Sequence, residues 1–322
     1  MSDPSGRSLG IDVGGTKCLA VVLDDEGQIV DEARRLTPRG EASLPKLIDT
    51  LAELAVAMGP VDHVGVGVPG LVTRSGVLRA APNLDGVADF DVAGLLGARI
   101  DRTVNVDNDA TCAAVAEWLY GAGKGSDDMV LVTLGTGIGG GLVLGGRLQR
   151  GSNGFTGEYG HMVVDPDGPP CPCGRRGCWE RYASGSGLAR LAREAATGRR
   201  VSRVLDIAGG DPEAVRGEMV QQAAREGDPD SLAVIDEFGR WVAVGLVSLT
   251  NALDPERFVL GGGLAAGSDL YIGPIRDWFR RLIYQPELRP MPDIAFARWN
   301  ERAGAVGAAL LHAVHEDPQL VE

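Results

Sequence analysis

The apolar positions at the start of the chain fall into short runs separated by glycine-rich or acidic turns. Leu9–Val13 predicts a strand, Gly14–Lys17 a tight turn, and Cys18–Leu23 the next strand. A polar turn at 24–27 then leads into a further extended segment, Gln28–Val30. Apolar runs of this length bounded by Gly and Asp are typical of strands joined by hairpins.

The same order of segments returns in the middle of the chain. Met129–Leu134 predicts a strand, Gly135–Gly140 a turn and Gly141–Leu144 a second strand, and Gly145-Gly146 leads into Arg147–Gln149. Two similar hairpins with glycine and threonine at their tips indicate an internal duplication.

Tips of this kind present successive backbone N–H groups and a threonine hydroxyl, which together can cradle phosphate oxygens. Asp12 precedes the first tip and can hold a magnesium ion through water. Neither tip has the Walker spacing, and the strand that follows GTGIGG argues against a dinucleotide fingerprint. An ordinary hairpin turn is the alternative for each tip.

A third glycine group follows the apolar run at 258–260, where it either admits a flat base or ribose or forms a strand-to-helix turn.

Polar side chains are concentrated where a predicted strand at 104–106 meets the alanine-rich helix predicted for Ala110–Tyr120. Asn108 and Asp109 stand at the helix start, where either can act as N-cap. The segment NVDNDA carries more carboxylate and amide groups than capping needs. A carboxylate there can take the proton of a hydroxyl that attacks phosphorus, and the Asn108 amide can bind a neighbouring hydroxyl.

The composition narrows the class of protein. A chain of 322 residues with 44% hydrophobic and 23% charged residues is globular and long enough for about two domains. Its net charge of −13 argues against general affinity for nucleic acid. No apolar run approaches the ~20 residues that a membrane span needs.

Three of the five cysteines lie close together, as Cys171, Cys173 and Cys178, and His161 precedes them. Three thiolates and one imidazole form a complete tetrahedral zinc set, and such a closed set is normally structural. A disulfide would leave one of the three cysteines unpaired, and an iron–sulfur cluster usually has four thiolates.

The first residues of the chain are polar and contain no leader-like apolar run, which predicts a reducing cytoplasmic location. Cys18 and Cys112 lie in apolar segments and are predicted to be inert buried thiols. Glu158 and Glu180 bracket the cluster of histidine and cysteines.

These motifs together resemble the ROK family of bacterial sugar kinases and repressors. The resemblance extends from residue 9 to about 310, and the CxCGxxGC element is its most specific part. It rests, in chain order, on Asp12–Lys17, Val68–Gly70, Asn108-Asp109, Leu134–Gly141, Gly157–His161 and Cys171–Glu180. Where family members commonly carry a small residue and asparagine after Asn-Asp, this chain has Thr111-Cys112, which predicts a change in packing.

The resemblance implies a duplicated α/β fold of the actin-like ATPase (ribonuclease H-like) type, with two domains and a cleft. The expected small domain spans residues 1–118 and is joined by a C-terminal helix at about 304–322. The expected large domain spans 119–303 and carries a zinc-binding loop at 161–178.

The implied activity is ATP-dependent phosphorylation of glucose to glucose 6-phosphate, with magnesium accompanying ATP and zinc as a structural ion. Asp109 is the implied general base, and His161 the residue that places one ring nitrogen on zinc and the other toward the sugar. The implied sugar-binding residues are Asn108, Asp109, Glu158, His161, Glu180, Gly70 and Asn83. The implied nucleotide-binding residues are Asp12, Gly14, Gly15, Thr16, Lys17, Gly135, Thr136, Gly137, Gly139, Gly261 and Gly262.

Three other functions stay open at this point. The nearest is a kinase for N-acetylglucosamine, N-acetylmannosamine or mannose. A polyphosphate-dependent enzyme is disfavoured because such family members generally lack the cysteine cluster. A sugar-responsive DNA-binding regulator is disfavoured because only about eight residues precede the first strand, too few for a helix-turn-helix domain. The expected partners are the hexose and ATP, with neither nucleic acid nor membrane, and the expected assembly is a homodimer or homotetramer.

Overall fold

The computed structural model describes residues 6–40, 42–81, 84, 86–198 and 201–314. The chain divides into two compact units. Unit 1 contains residues 1–131, 140–157 and 298–322, and unit 2 contains residues 132–139 and 158–297. Residues 119–131 and 140–157 thus group with the N-terminal part of the chain, and the domain boundaries expected at 118 and 303 stay a prediction.

The strands are short and lie mostly in the first half of the chain. In the part of the chain that the structure describes they are β1 (Ser8–Val13), β2 (Lys17–Leu23), β3 (Ile29–Leu36), β4 (His63–Val68), β5 (Leu71–Val72), β6 (Val77–Ala80), β7 (Phe90–Asp91), β8 (Val104–Asn108), β9 (Met129–Leu134), β10 (Ile138–Leu144), β11 (Arg147–Leu148), β12 (Arg257–Gly261) and β13 (Asp293–Phe296).

The helices dominate the second half of the chain. Over the same described residues the α-helices are α1 (Ser43–Ala57), α2 (Val92–Ile100), α3 (Asp109–Tyr120), α4 (Glu180–Ala183), α5 (Gly185–Thr197), α6 (Ser202–Ile207), α7 (Gly217–Arg225), α8 (Pro229–Leu253), α9 (Ser268–Leu282), α10 (Ala303–Ala309) and α11 (Leu311–Val314). None of the described helices is both long enough and apolar enough to cross a membrane.

The first sheet has the strand order β3-β2-β1-β4-β8. Strands β1, β2 and β3 form an antiparallel meander, whereas β4 runs parallel to both β1 and β8. The register pairs Asp12 with Gly67, and Gly67 in turn with Asp107. The carboxyl ends of these three parallel strands therefore meet at one edge, which brings Asp12 close to the Asp107–Asp109 segment.

The second large sheet repeats this topology in the order β11-β10-β9-β12-β13. Its strands β9 and β10 pass through residues of both units. In each sheet a three-strand meander is followed by two further strands on the side of its first strand. The internal duplication predicted from the two glycine turns is confirmed by this shared order.

The predicted second turn is too long. The sequence pattern predicts a turn over Gly135–Gly140, whereas β10 already begins at Ile138. The backbone N–H of Gly139 donates to Oγ1 of Thr133 at 3.0 Å. A strand that contains three successive glycines has the composition of a turn, so the local pattern gave the wrong boundary.

Helix α10 packs onto the first sheet at unusually close range. A Cβ atom at Gly10 of β1 would overlap the carbonyl oxygen of Ala305, and one at Gly65 of β4 would overlap that of Ala308. On another face of the helix, a Cβ atom at Gly307 would overlap the carbonyl oxygen of Cys112 in α3. Only glycine permits backbones to approach this closely.

Unit 2 is built around the long helix α8. Asp228 caps its start by accepting a hydrogen bond from the Ser231 N–H at 2.8 Å, and Pro229 occupies the first helical turn. The helix ends at Leu253, after which Asp254 adopts a left-handed conformation with φ of 47°. Phe238 on its buried face lies against Tyr271 of α9, with ring centroids 5.2 Å apart.

We expect Gly307→Ala to destabilise the protein by about 3 kcal/mol or more, because the added methyl group overlaps backbone rather than a movable side chain. The urea midpoint followed by circular dichroism measures the loss. Gly273→Ala is the control, since a Cβ atom there meets open space. Its effect should stay under about 1 kcal/mol, because the gain in helix propensity is offset by the following proline. Equal midpoints for the two variants would contradict the close-packing explanation.

Candidate active site and metal centre

Asp12 stands near the end of β1, partly buried, with a second carboxylate nearby. Burial and, to a smaller extent, the charge of Asp109 raise the pKa of Asp12 to about 7, with Lys17 opposing both. A Cβ atom at Gly304 would lie 2.7 Å from Cγ of Asp12, so the start of α10 lies against this carboxylate. Two neighbouring carboxylates with incomplete solvation favour a bound cation.

The first glycine turn joins β1 to β2. The Gly14 N–H is used within the turn, donating to the Lys17 carbonyl at 3.0 Å. Gly15 and Thr16 are exposed at the tip. The Lys17 ammonium forms an ion pair with Glu301 at 2.9 Å. The backbone of Gly15 and Thr16 is therefore available to bind a ligand. The Lys17 ammonium becomes available only when it leaves Glu301.

Asn108 is the N-cap of α3. Its Oδ1 accepts hydrogen bonds from the N–H groups of Ala110 (2.9 Å) and Thr111 (3.1 Å), and its Nδ2 donates to the Gly70 carbonyl at 3.0 Å. Gly70 has φ of 109°, and a Cβ atom there would overlap the Ala80 carbonyl. Three hydrogen bonds thus fix the orientation of the Asn108 amide. Gly70 contributes its carbonyl oxygen as an acceptor, and its lack of a side chain avoids an overlap with Ala80.

Asp109 is the first residue of α3, where the helix dipole favours a negative charge. A Cβ atom at Gly67 would lie 3.5 Å from Cα of Asp109 and 3.2 Å from Sγ of Cys112. This glycine lets the start of α3 rest directly on β4. Cys112 and Cys18 are both buried free thiols, as predicted.

An ion pair that the sequence reasoning missed lies beneath this segment. Arg150 Nε donates to Oδ2 of Asp107 at 2.6 Å, and Oδ1 of Asp107 accepts the backbone N–H of Asn108 at 2.8 Å. Only 9% of the Arg150 side chain and 5% of the Asp107 side chain are exposed. A carboxylate in an apolar strand signals that a partner exists, but nothing local identifies Arg150 as that partner.

The predicted zinc ligands come together in unit 2. One ligand atom from each of His161, Cys171, Cys173 and Cys178 lies within 4.8 Å of the other three. Sγ of Cys173 is 3.5 Å from Sγ of Cys178, and Sγ of Cys171 is 3.9 Å from Nδ1 of His161. A zinc–sulfur distance of ~2.3 Å implies tetrahedral edges of about 3.8 Å, so the spacing fits zinc.

Turns in the loop create this spacing. The Cys171 N–H donates to the Arg175 carbonyl at 2.8 Å, and the Gly174 N–H donates back to the Cys171 carbonyl at 3.0 Å. Gly174 and Gly177 have φ of 87° and 66°, which glycine tolerates best. At Gly177 a Cβ atom would also overlap the carbonyl of Asp165.

Trp179 anchors the end of the loop. Its ring is fully buried, its Nε1 donates to the Trp241 carbonyl at 2.7 Å, and a Cβ atom at Gly245 of α8 would overlap it. Its neighbours in sequence are the candidate metal ligand Cys178 and the candidate sugar-binding residue Glu180. The buried indole therefore fixes the backbone that carries both.

Glu158, His161 and Glu180 lie together at the edge of the metal cluster. Nε2 of His161 is 3.9 Å from Oε2 of Glu158, whereas Nδ1 is 3.9 Å from Oε1 of Glu180. That oxygen of Glu180 is also 3.1 Å from Sγ of Cys171. Burial raises the pKa of Glu158, His161 opposes the shift, and the charge of Glu180 adds to it. Nδ1 of His161 thus faces the sulfurs, and Nε2 faces the more exposed glutamate.

The second glycine turn adjoins this group within unit 2. Gly135 N–H donates to the Gly137 carbonyl at 3.0 Å, and Thr136 is exposed at the tip. A Cβ atom at Gly137 would lie 2.9 Å from Oε2 of Glu180. Two residues at the start of α5, absent from the predicted set, brace the tip. The Gly185 N–H donates to the Gly135 carbonyl at 2.8 Å, and Ser186 Oγ donates to the Thr136 carbonyl at 3.0 Å.

The third glycine group follows β12. Gly261 is the buried last residue of that strand. Gly262 has φ of 83°, and a Cβ atom there would lie 2.7 Å from backbone atoms of Leu134. The group therefore lies beside the strand end that leads into the second turn. Asn83, the remaining predicted site residue, lies outside the described residues.

Two sheets of identical strand order, each with a glycine turn after its first strand, define the duplicated α/β fold of the actin-like ATPases. A model of the ROK family matches residues 8–314. The chain belongs to the ROK family, and it is a sugar kinase.

Three relatives illustrate the similarity of the chain to known sugar kinases in sequence and structure. The chain is 38% identical over 316 residues to a glucokinase of Streptomyces coelicolor, covering 97% of this chain and 99% of that protein. A crystal structure of a ROK family glucokinase from Streptomyces griseus in complex with glucose and AMPPNP has a TM-score of 0.83 and 38% identity, covering 95% of this chain and 99% of that one. An N-acetylmannosamine kinase of Escherichia coli O157:H7 is 34% identical over 310 residues, covering 94% of this chain and 97% of that protein.

We expect Asp12→Asn to stabilise the folded protein at pH 8. Because the folded-state pKa of Asp12 lies near 7, above the ordinary value of 3.8, the ionised carboxylate destabilises the fold as the pH rises above 3.8. The full cost is present above pH 7. Thermal unfolding without nucleotide or divalent ions should show a higher Tm for the variant at pH 8 and a much smaller difference at pH 4. A variant less stable than the parent at pH 8 would refute this view of Asp12.

Proposed function

We propose that this protein transfers the terminal phosphoryl group of ATP to the 6-hydroxyl of glucose. The observation that carries the proposal is the placement of Asp109 at the capped start of α3, at the sheet edge where Asp12 also lies. A carboxylate held on a rigid helix start suits proton removal from a hydroxyl. The similarity to glucokinases supports glucose as the acceptor.

In the proposed reaction, Asp109 orients the attacking hydroxyl and accepts its proton as the oxygen approaches phosphorus. Phosphoryl transfer depends mainly on positioning and on offsetting the charge of the transferred group. The backbone of the two glycine turns and the Thr136 hydroxyl would bind the phosphates. Asp12 would hold magnesium, which supplies positive charge to the phosphate oxygens when bound.

The proposed sugar-binding side chains carry groups that pair with hydroxyls. Asn108 supplies an amide, and Glu158 and Glu180 supply carboxylates that accept hydrogen bonds from hydroxyls. His161 would contribute Nε2–H as a donor, because zinc on Nδ1 leaves the proton on the other nitrogen. The distances from Nδ1 to Sγ of Cys171 and from Nε2 to Glu158 agree with this assignment.

Zinc would act as a brace for the sugar-binding loop rather than as a reagent. Three thiolates and one imidazole leave no coordination position for substrate. The loop that the ion closes carries His161 and ends at Glu180.

A second candidate is a kinase for N-acetylmannosamine, supported by the 34% identity to such an enzyme. A coupled assay of ADP release over glucose, mannose, N-acetylglucosamine and N-acetylmannosamine separates the two. The highest kcat/KM with glucose supports the proposal, and turnover of none of the four refutes it. The dimer or tetramer and the cytoplasmic location stay predictions.

Asp109→Asn should lower kcat by about 10²–10⁴-fold, the usual contribution of a general base, while glucose still binds. Steady-state kinetics and intrinsic tryptophan fluorescence measure the two effects. Asp101→Asn is the control, because Asp101 is an exposed residue in the left-handed conformation that asparagine also tolerates. A kcat for Asp109→Asn within a few-fold of the parent would exclude Asp109 as the base.

Cys173→Ser should reduce bound zinc well below one ion per chain and raise the KM for glucose, because the loop that holds His161 loses a ligand. Metal analysis and kinetics measure the two changes. Cys18→Ala removes a buried thiol outside the cluster and should keep its zinc. Full glucose affinity in a preparation shown to be free of zinc would contradict the bracing role.

A further inference from the structure

We propose that the buried Asp107–Arg150 ion pair is the positioning element of the active-site helix start, and that Arg150 sets the orientation of Asp109 through the backbone. The inference rests on the proposed role of Asp109 as general base. It concerns two residues outside the predicted sugar-binding, nucleotide-binding and metal-binding sets.

The geometry connects Arg150 to the helix start in two steps. Arg150 Nε holds Oδ2 of Asp107 at 2.6 Å, and Oδ1 of the same carboxylate holds the Asn108 N–H at 2.8 Å. The bonded N–H belongs to the peptide that directly precedes the N-cap of α3. Its orientation therefore determines where the backbone of Asn108 and Asp109 begins.

Burial makes this arrangement sensitive to loss of either partner. With 9% and 5% of their side chains exposed, Arg150 and Asp107 have little access to water. Removing one member of such a pair leaves an uncompensated charge and is far more damaging than replacing both. Arg150 also reaches the Val314 carbonyl of α11 at 3.5 Å through Nη1, which ties the guanidinium to a second element.

The local charge balance gives Arg150 a second effect at the same place. Cys112, one turn into α3, is surrounded by three carboxylates. Burial is the main cause that raises the pKa of its thiol, the charges of Asp107, Asp12 and Asp109 add to the shift, and Arg150 opposes it. The arginine thus offsets part of the negative charge that collects at this edge of the sheet.

The test compares Arg150→Met, Asp107→Asn and the double variant. Arg150→Met should lower kcat at least tenfold, because a misplaced base costs turnover, and it should raise the KM for glucose by a smaller factor, because the sugar-binding residue Asn108 lies on the same backbone. The double variant should recover much of that loss, since it contains no unpaired buried charge. Arg150→Lys should fall between Arg150→Met and the parent.

Glu117→Gln is the matched structural control. Glu117 is a fully buried carboxylate of the same helix, and it accepts the N–H groups of Ala122, Arg298 and Trp299. Its loss should lower Tm with kcat per folded molecule unchanged. If Arg150→Met behaves in the same way, or keeps kcat within twofold, the positioning role is refuted. If Arg150→Met fails to fold, Asp107→Asn and Arg150→Lys decide by the same kcat criterion.

Hydrogen exchange of the peptide covering 104–112 gives a readout that does not depend on turnover. Arg150→Met should speed exchange in this segment at least tenfold, and Glu117→Gln should not. Unchanged exchange overturns the inference even if activity falls. A parent protein that phosphorylates no hexose, but shows the expected exchange change, would refute the proposed function and leave the positioning role standing.

Discussion

The direct packing of helix α10 on the backbone of β1 and β4 is the constraint on which unit 1 depends. Glycine at positions 10 and 65 removes the side chains that would hold the helix away from the sheet. The helix then contacts Asp12 through Gly304 at its start and the backbone of α3 through Gly307. One short helix thereby fixes both the first-strand carboxylate and the helix that begins with Asp109. Substitutions at these glycines would act on the site without any contact with a ligand.

In unit 2 the candidate site residues are positioned by a loop with little regular structure. The segment from His161 to Cys178 follows the 3-10 turn Tyr159–His161, contains isolated bridges, and has few apolar side chains to bury. Metal ligation can supply the free energy that a small hydrophobic surface cannot. Trp179 adds a buried anchor at the end of the loop. The Trp179 indole, packed against Gly245 of α8, and the cluster of His161 and three cysteines lie on either side of the segment that leads to Glu180 near the second glycine turn.

Most local features were predictable from the sequence, whereas the ion pair that joins distant residues was not. The strands at 9–13 and 129–134 and the start of α3 follow from apolar runs and capping residues. The cluster of candidate zinc ligands was predictable because three of the four residues lie within eight positions of the chain. Arg150, in contrast, lies 43 residues from Asp107, and only the folded chain selects it among the arginines. The boundary at Ile138 was wrong because glycine-rich strands and turns look alike in composition.

The two large sheets share one strand order, but the glycine turns after their first strands differ in chemistry. Both sheets contain the meander and its two following strands. The turns between the first two strands of each meander differ in the groups that they carry. The first tip is flanked by the charged residues Asp12 and Lys17, whereas the second, Gly135–Gly137, has only a threonine hydroxyl and backbone. Two sheets of the same strand order thus present chemically different groups at equivalent turns.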